Sequence, residues 1–232
     1  YGLVREKIAQ MMVDCFAAES TVWMLAHYID SGCEDYSTEA AISKIFASDA
    51  VQRCGHEALQ IAAGNGFMRE YPYEQIVRDS RILSIFEGTN EILRLFVALA
   101  GLKDAGRALA ELKSAVDDIF NNPIKGFGVL SGYAGQRLSQ ATGVGRDRIG
   151  SRLPPELADA RATLEKYASE LAQASDYVLR KFGKGVVDRQ YELKRIADIA
   201  IDLFVGLCTL SRASTLAAEK DPHAAKAIEI AN

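Results

Sequence analysis

The stretch RILSIFEGTNEILR at residues 81–94 is the most informative part of the chain. Glu87 stands between an aromatic residue and a glycine, at the point where an apolar strip gives way to a helix. A carboxylate beside Ile85 and Phe86 would be poorly solvated, which suits it to general-base chemistry near neutral pH. The alternative, favoured by the pattern alone, is an ordinary exposed glutamate at a helix start.

Helical periodicity extends over nearly the whole chain on both sides of this stretch. The sequence has five prolines, none of them in the first seventy residues, and no segment alternates apolar and polar residues over strand length. We therefore predict an all-α fold, with a four-helix-type bundle followed by a second helical domain. Helices are predicted over residues 3–29, from Ser37 or Thr38 to a break at 64–66, over 73–81, from Asn90 to Leu99, over 154–182 and over 186–218.

Composition indicates a helical protein and excludes several functions. The 232 residues are 49% hydrophobic and 25% charged, with a net charge of −4, and the basic residues are dispersed, so no nucleic-acid binding is expected. No apolar run reaches the ~18 residues of a membrane-spanning helix. The four cysteines have neither metal-type spacing nor a disulfide framework, so reduced thiols and no metal site are expected.

Three segments together resemble one enzyme family. Residues 86–94, FEGTNEILR, are similar to the signature of the acyl-CoA dehydrogenases, whose C-terminal helical domain carries a Tyr/Phe-Glu-Gly-Thr catalytic loop. Residues 60–67, QIAAGNGF, resemble the family segment Gln-Ile-x-Gly-Gly-x-Gly-Phe, and RDSRI at 78–82 is a third match between them. The later chain, including residues 190–213, resembles the extra C-terminal domain of the very-long-chain branch.

The resemblance implies roles for the residues around Glu87. This glutamate would be the base that removes the α-proton of an acyl-CoA thioester while the β-hydrogen leaves as hydride to FAD. Its backbone N–H would help to polarise the thioester carbonyl. Phe86 would line the reaction centre, and Gly88 would let the substrate lie close to the backbone. The positions that match flavin contacts are Thr89, Asn90 and Glu91.

The glycine-rich turn is the second site that the resemblance implies. In the family this segment reaches the FAD of the neighbouring subunit, so the predicted contacts are Gln60, Ile61, Ala62, Ala63 and Gly64. The chain departs from the family at Ala63, where a glycine is usual. From pattern alone, the end of a helix is the better explanation of this turn, and a phosphate-binding turn is the alternative.

The predicted domains are residues 1–105, the acyl-CoA dehydrogenase helical bundle; 106–153, a connector; and 154–232, the additional helical domain. Residues 124–138 of the connector form a short amphipathic segment. From pattern alone, a helix docked on protein is favoured over a helix in a membrane interface, which is the alternative. The resemblance favours the membrane, because the very-long-chain enzymes use this region to associate with the inner mitochondrial membrane.

The resemblance therefore implies the C-terminal part of a long- or very-long-chain acyl-CoA dehydrogenase of fatty acid β-oxidation. Its implied partners are acyl-CoA, a second copy in a homodimer and electron-transfer flavoprotein. Its implied location is the mitochondrial matrix or inner membrane surface, or the cytoplasm or membrane periphery of a bacterium. We expect the N-terminal and middle domains to be missing and this chain alone to be inactive. The alternatives are a helical assembly module and a peripheral membrane-binding module without a catalytic role.

Overall fold

The computed structural model describes residues 1–117 and 153–232. Within these residues the chain is helical and has no β-strand, as the sequence predicted. Short 3₁₀ segments lie at Arg81–Ser84, Pro155–Leu157 and Gly183–Asp188. The α-helices are α1 (Gly2–Asp30), α2 (Ser37–Ala62), α3 (Gly64–Phe67), α4 (Tyr73–Ser80), α5 (Asn90–Asp117), α6 (Ala158–Phe182), α7 (Gln190–Ala218) and α8 (Ala224–Ala231).

Local hydrogen bonding explains why α2 begins where the sequence indicated. The carboxylate of Asp35 accepts hydrogen bonds from the Ser37 N–H at 3.1 Å and from the Ser37 hydroxyl at 2.7 Å. These bonds lower the pKa of Asp35 and fix the chain as it enters the helix. Gly32, with a φ of +79°, follows the end of α1, where the sequence placed the stop of the first helix.

Three helix boundaries differ from the prediction. Helix α6 begins at Ala158, four residues later than predicted, because residues 155–157 form a 3₁₀ segment. Helix α5 continues to Asp117, well past the predicted end at Leu99, because Gly101 and Gly106 stand among strong helix formers and do not break it. Helix α7 begins at Gln190, four residues later than predicted, because the preceding residues form a 3₁₀ segment. The amphipathic segment 124–138 and most of the predicted connector lie outside the described residues.

Two helices, α2 and Ala158–Phe182 (α6), end with the same backbone torsion angles but different residues. Ala63 follows α2 with φ 52° and ψ −127°. Gly183 follows α6 with φ 53° and ψ −130°. This region of the backbone map is favourable for glycine and strained for residues that carry a Cβ.

The helices of both predicted domains share one hydrophobic core. Helix α7 packs against α6 on one side and against α1 and α5 on the other, so the first bundle covers the apolar face of the α6–α7 pair. Leu164 of α6 lies so close to Gly206 of α7 that a Cβ there would meet its side chain at 2.8 Å. The buried residues of this core include Ala17, Ile42, Ile45, Val97, Ala98, Leu102, Val178, Leu193, Ile196, Ala197, Ile201 and Val205.

A smaller apolar cluster joins the end of α7 to α8 and to the start of α6. Leu157, Leu210, Ala213 and Ala227 are buried in it, with Phe16 of α1 packed alongside. Across the part of the chain that the structure describes, no helix has an apolar stretch long enough to cross a lipid bilayer.

Candidate functional site

A tight turn joins the 3₁₀ segment Arg81–Ser84 to α5 and carries Glu87 at its tip. The N–H of Ile85 donates to the carbonyl of Ile82 at 2.9 Å, which closes the 3₁₀ segment. The chain then reverses through two residues with positive φ, +54° at Glu87 and +90° at Gly88. This reversal separates the carboxylate of Glu87 from the helices on either side.

The left-handed conformation of the turn is costly for one residue and natural for the next. A residue with a Cβ loses about 1–2 kcal/mol in this region, so Glu87 is strained, whereas Gly88 is not. A Cβ at Gly88 would also lie 3.2 Å from the Leu93 Cδ2 atom. The turn itself therefore requires this glycine, in addition to any need for space beside a substrate. Strain of this kind is concentrated at functional sites.

The carboxylate of Glu87 is exposed in this chain, which contradicts the expectation that it is poorly solvated. Its apolar neighbours do not cover it, because they face solvent themselves. The exposed fractions are 47% for Ile85 and 46% for Phe86. Ile92, on the first turn of α5, is 60% exposed on the same stretch of chain. The apolar residues that surround Glu87 in the sequence thus form an open surface here.

Lys44 of α2 supports the turn through two hydrogen bonds. Its Nζ donates to the carbonyl oxygen of Gly88 at 2.8 Å and to Oδ1 of Asn90 at 2.7 Å. Partial burial lowers the pKa of Lys44, and the nearby carboxylates of Asp49, Glu91 and Glu87 oppose that shift. Lys44 therefore fixes the backbone beside Glu87 while its positive charge lies near that carboxylate.

Asn90 is the most deeply buried of the predicted site residues, with 3% exposure. Its Nδ2 donates to the Ser48 hydroxyl at 2.9 Å and to Oδ1 of Asp49 at 2.8 Å, and its Oδ1 accepts from Lys44. Because the side chain is committed to these partners, a cofactor contact at Asn90 would have to use its main chain. Glu91 is exposed and Thr89 is partly exposed, so both remain accessible from outside.

Arg94 continues the network into the second helical unit. Its Nη2 donates to Oδ2 of Asp49 at 2.9 Å, and its Nε donates to Oδ1 of Asp198 on α7 at 2.7 Å. Burial lowers the pKa of Arg94, but the hydrogen bonds to Asp198 and Asp49 outweigh this and raise it. The guanidinium also donates to the carbonyl of Asn90 at 3.3 Å. One cation thus links α2, the start of α5 and α7.

Sequence reasoning missed four members of this network: Lys44, Ser48, Asp49 and Asp198. The spacing of Asn90 and Arg94, one helical turn apart, was visible in the motif. No local pattern marked the other residues, because they come from α2 and from a helix about a hundred positions further along the chain. Contacts between positions so distant in sequence follow only from the packing of the helices.

The second predicted site, residues 60–64, forms an exposed turn between α2 and α3. Gln60, Ala63 and Gly64 are exposed, and the space around Gly64 is open, since a Cβ there would meet nothing within 4 Å. Ile61 and Ala62 are partly buried. Gly66 differs, because a Cβ would lie 2.2 Å from the carbonyl oxygen of Leu59. That glycine is needed for packing, while the backbone of 63–64 is open to an approaching molecule.

The turn at 60–64 and the turn at 85–89 remain separate within this chain. In residues 1–117 and 153–232, no hydrogen bond or ion pair joins one turn to the other. The structure therefore assembles the residues around Glu87 into one network and leaves 60–64 as a distinct surface.

Two family models match most of the chain. Residues 1–102 match the family model described as Acyl-CoA dehydrogenase, C-terminal domain, and residues 155–232 match that of ACAD9/ACADV, C-terminal domain. This chain belongs to the acyl-CoA dehydrogenase family. The resemblance read from the three sequence motifs is thereby confirmed.

Similar acyl-CoA dehydrogenases cover nearly the whole chain. The human mitochondrial very long-chain specific acyl-CoA dehydrogenase is 41% identical over 97% of this chain and 34% of its own length. The rat enzyme of the same name is 40% identical over the same shares. A probable acyl-CoA dehydrogenase of Mycobacterium tuberculosis is 29% identical over 87% of this chain and 32% of its own length. The chain spans about a third of the length of these acyl-CoA dehydrogenases.

A solved acyl-CoA dehydrogenase has the same fold. The crystal structure of the Bacillus anthracis acyl-CoA dehydrogenase complexed with FAD covers all of this chain with 39% of its own length, at a TM-score of 0.76 and 23% identity. At that identity the likeness supports the helical acyl-CoA dehydrogenase fold and carries no residue roles.

Proposed function

We propose that this chain is the C-terminal part of an FAD-dependent acyl-CoA dehydrogenase for long or very long acyl chains, with Glu87 as its catalytic base. The observation that carries the proposal is the conformation of Glu87 within the family motif. Its φ of +54° projects the carboxylate from a turn whose carbonyl at Gly88 is held by Lys44. An ordinary glutamate at a helix start needs neither the strain nor the support.

The turn offers two groups to an acyl thioester. The exposed carboxylate of Glu87 can take the proton from the carbon next to the thioester carbonyl and become a neutral acid. In the described part of the chain no acceptor binds the backbone N–H of Glu87, so this N–H is available to donate to the thioester oxygen. Base and donor then belong to one residue, which fixes their relative position.

The residues present fit a bound FAD. The open backbone at Ala63 and Gly64 admits close approach by a group such as a pyrophosphate, and the accessible Thr89 and Glu91 lie beside the base. When bound, the flavin would supply the acceptor for the β-hydrogen as hydride. Within this chain, Gln60 to Gly64 would hold the cofactor of a neighbouring subunit, and Phe86 would shield the reacting carbon from water.

Exposure of Glu87 in this chain agrees with a site completed by other parts of the protein. Ile82, Ile85, Phe86 and Ile92 present apolar side chains that are between 46% and 60% exposed. Covering them with an acyl chain and with further domains would exclude water from the surroundings of Glu87, as proton abstraction in a closed site requires. The chain by itself is expected to show no dehydrogenase turnover.

The test joins this chain to the N-terminal two thirds of the human relative and assays only preparations that hold FAD. A long-chain acyl-CoA should bleach the flavin absorbance of the hybrid, and Glu87→Gln should abolish bleaching while FAD stays bound. Glu34→Gln is the matched control, because it removes an exposed carboxylate from the loop between α1 and α2, outside the proposed base and cofactor contacts. Bleaching by Glu87→Gln at the rate of the unchanged hybrid would refute the proposal.

The remaining partners follow from the same proposal. Electron-transfer flavoprotein would reoxidise the flavin, and a homodimer would bring residues 60–64 to the neighbouring active site. The mitochondrial names of the human and rat relatives favour the mitochondrial location. Sedimentation equilibrium of the hybrid should give twice the subunit mass. Membrane contact by residues 124–138 stays a prediction, because those residues lie outside the described chain.

A further inference from the structure

A continuous set of hydrogen bonds runs from the second helical unit to the turn at Glu87. It begins at Asp198 on α7 and passes through Arg94 to Asp49, at 2.7 and 2.9 Å. Asp49 accepts from Asn90 at 2.8 Å. Lys44 then bridges Asn90 and the carbonyl of Gly88, at 2.7 and 2.8 Å. Every step joins a charged group to a hydrogen-bonding partner at short distance.

We propose that Asp198 is a positioning residue, through which the second helical unit holds the turn of residues 85–90 in its strained conformation. The ordering of the turn by Asp198 concerns this chain alone and does not depend on any catalytic role. That the ordered turn serves proton abstraction rests on the proposed function of Glu87.

Arg94 is suited to transmit the position of α7. Its side chain is only 19% exposed, and it donates through two different nitrogens to two carboxylates. The planar guanidinium fixes both bonds in one geometry, and such charge-assisted bonds are about twice as strong as neutral ones. Without Asp198, the Nε donor would lose its partner, and the guanidinium could rotate away from Asp49.

The other ion pair of Asp198 is a weaker candidate for this role. Lys194 lies one helical turn away on α7 at 3.4 Å, and its side chain is 60% exposed. Exposed pairs of this kind contribute little, because solvent screens them and the side chains remain free. The bond from Arg94 is therefore the contact through which Asp198 affects the structure.

The turn needs such support because its own backbone does not favour its shape. Glu87 is strained at φ +54°, and both Glu87 and its apolar neighbours are exposed, so side-chain packing adds little. Strained conformations persist where the surrounding contacts over-determine them. Here those contacts reach the turn through Lys44 and Asn90, and Asn90 is in turn fixed by Asp49.

Two-dimensional NMR of the 232-residue chain tests the ordering directly. In Asp198→Ala, the Asn90 side-chain amide should exchange with water on the order of tenfold faster, and the Gly88 backbone signal should shift and lose rigidity on the nanosecond scale. Asp198→Asn keeps the shape and an acceptor for Arg94 but removes the charge, so it should give a smaller change. Methyl signals of Ile45 and Leu193 should stay in place.

Asp202→Asn is the matched control for the NMR test. Asp202 lies one turn further along α7, and burial and the nearby Asp198 raise its pKa, while Arg53 and Arg94 lower it. It lies near the charge of Arg94 but makes no hydrogen bond to Arg94 in the described chain, so the turn should not respond to its loss. If Asp198→Ala leaves the Asn90 and Gly88 signals at their wild-type positions, the proposal is wrong. Should that variant unfold, Asp198→Asn decides by the same signals.

The consequence for catalysis is measured separately in the FAD-holding hybrid. Asp198→Asn should lower the rate constant of flavin reduction several-fold while the acyl-CoA concentration for half-maximal rate stays unchanged. A structural role alone would lower the amount of folded, flavin-holding protein and leave that rate constant intact. Because the NMR readout needs neither flavin nor substrate, failure of the proposed function would leave the ordering result standing. Failure of ordering would likewise leave the role of Glu87 untouched.

Discussion

Glu87 occupies a backbone conformation that glycine would adopt at lower cost. The positive φ at this residue, followed by Gly88, is what turns the chain away from the 3₁₀ segment and into α5. If the side chain had no role, a glycine would serve the fold better. The glutamate therefore lowers the stability of the fold and places a carboxylate at the tip of the turn.

Replacement of Glu87 by glycine should stabilise the chain. We expect the free energy of unfolding to rise by about 1 kcal/mol, because relief of the left-handed strain exceeds the added entropy of the unfolded chain. Urea denaturation followed by circular dichroism measures the change. Glu91→Gly is the control, since the same substitution within the first turn of α5 should cost roughly 0.5–1 kcal/mol. A loss of stability in Glu87→Gly would show that the turn is not strained.

At the scale of helices, the sequence predicted what local patterns encode. Periodicity and turn residues located α1, α2 and α4 closely, and the motif located the start of α5. The continuation of α5 to Asp117 was missed, because glycine is a weak helix breaker when its neighbours favour helix. The network around Asn90 was missed as well, since the partner of Arg94 on α7 depends on how helices far apart in sequence pack.

The solvent exposure of the Glu87 carboxylate also could not be predicted from the sequence. The apolar residues beside Glu87 predicted a shielded carboxylate, but the side chains of Ile85 and Phe86 are themselves exposed to solvent in this chain. Apolar neighbours shield a carboxylate only if another element covers the turn, and the local pattern does not specify that element. The motif singled out Glu87 as a candidate, and its role stays a proposal, while its environment depends on tertiary and quaternary contacts.

Helix α7 should make stability depend on pH above the neutral range. Cys208 is 2% exposed, and its burial raises the pKa of the thiol from 9.0 to about 12. A raised pKa means that the folded chain keeps the proton that the unfolded chain releases, so this contribution is complete below pH 9 and is lost as pH rises toward 12. Stability should therefore fall between these values, by at most about 1.4 kcal/mol per pH unit from this group.

The thiol contribution is isolated by comparing variants across that pH range. The difference in unfolding free energy between wild type and Cys208→Ala should shrink as pH rises from 9 toward 12. Cys33, an exposed cysteine, provides the control. The difference in unfolding free energy between wild type and Cys33→Ala should not change with pH over this range. A level difference for Cys208→Ala would show that this thiol ionises equally in folded and unfolded chains.

Considered as a whole molecule, the described helices share one main hydrophobic core. Ile45 of α2 and Leu193 of α7 are both completely buried and belong to the same core. Two domains with separate cores could unfold separately, whereas a shared core couples them. The side chains of the two predicted domains thus pack together.

Calorimetry should show this coupling as a single transition. Ile45→Ala and Leu193→Ala should each lower the free energy of unfolding by roughly 2–5 kcal/mol and move that one transition downward. Tyr191→Ala, which truncates a side chain that is 84% exposed on the same helix as Leu193, should change it little. Two resolved transitions, each responding to only one of the core variants, would contradict a shared core.

Ala63 and Gly183 occupy equivalent positions at the ends of two helices, so the chain itself compares alanine with glycine in one backbone conformation. The same pair of torsion angles ends two long helices, once with a methyl group and once without. Exchanging the residues should therefore give opposite results: Ala63→Gly should raise the melting temperature, and Gly183→Ala should lower it, each by the equivalent of about 1–2 kcal/mol. A single nucleotide separates alanine from glycine codons. One point mutation at codon 63 would therefore be enough to raise the melting temperature of the chain.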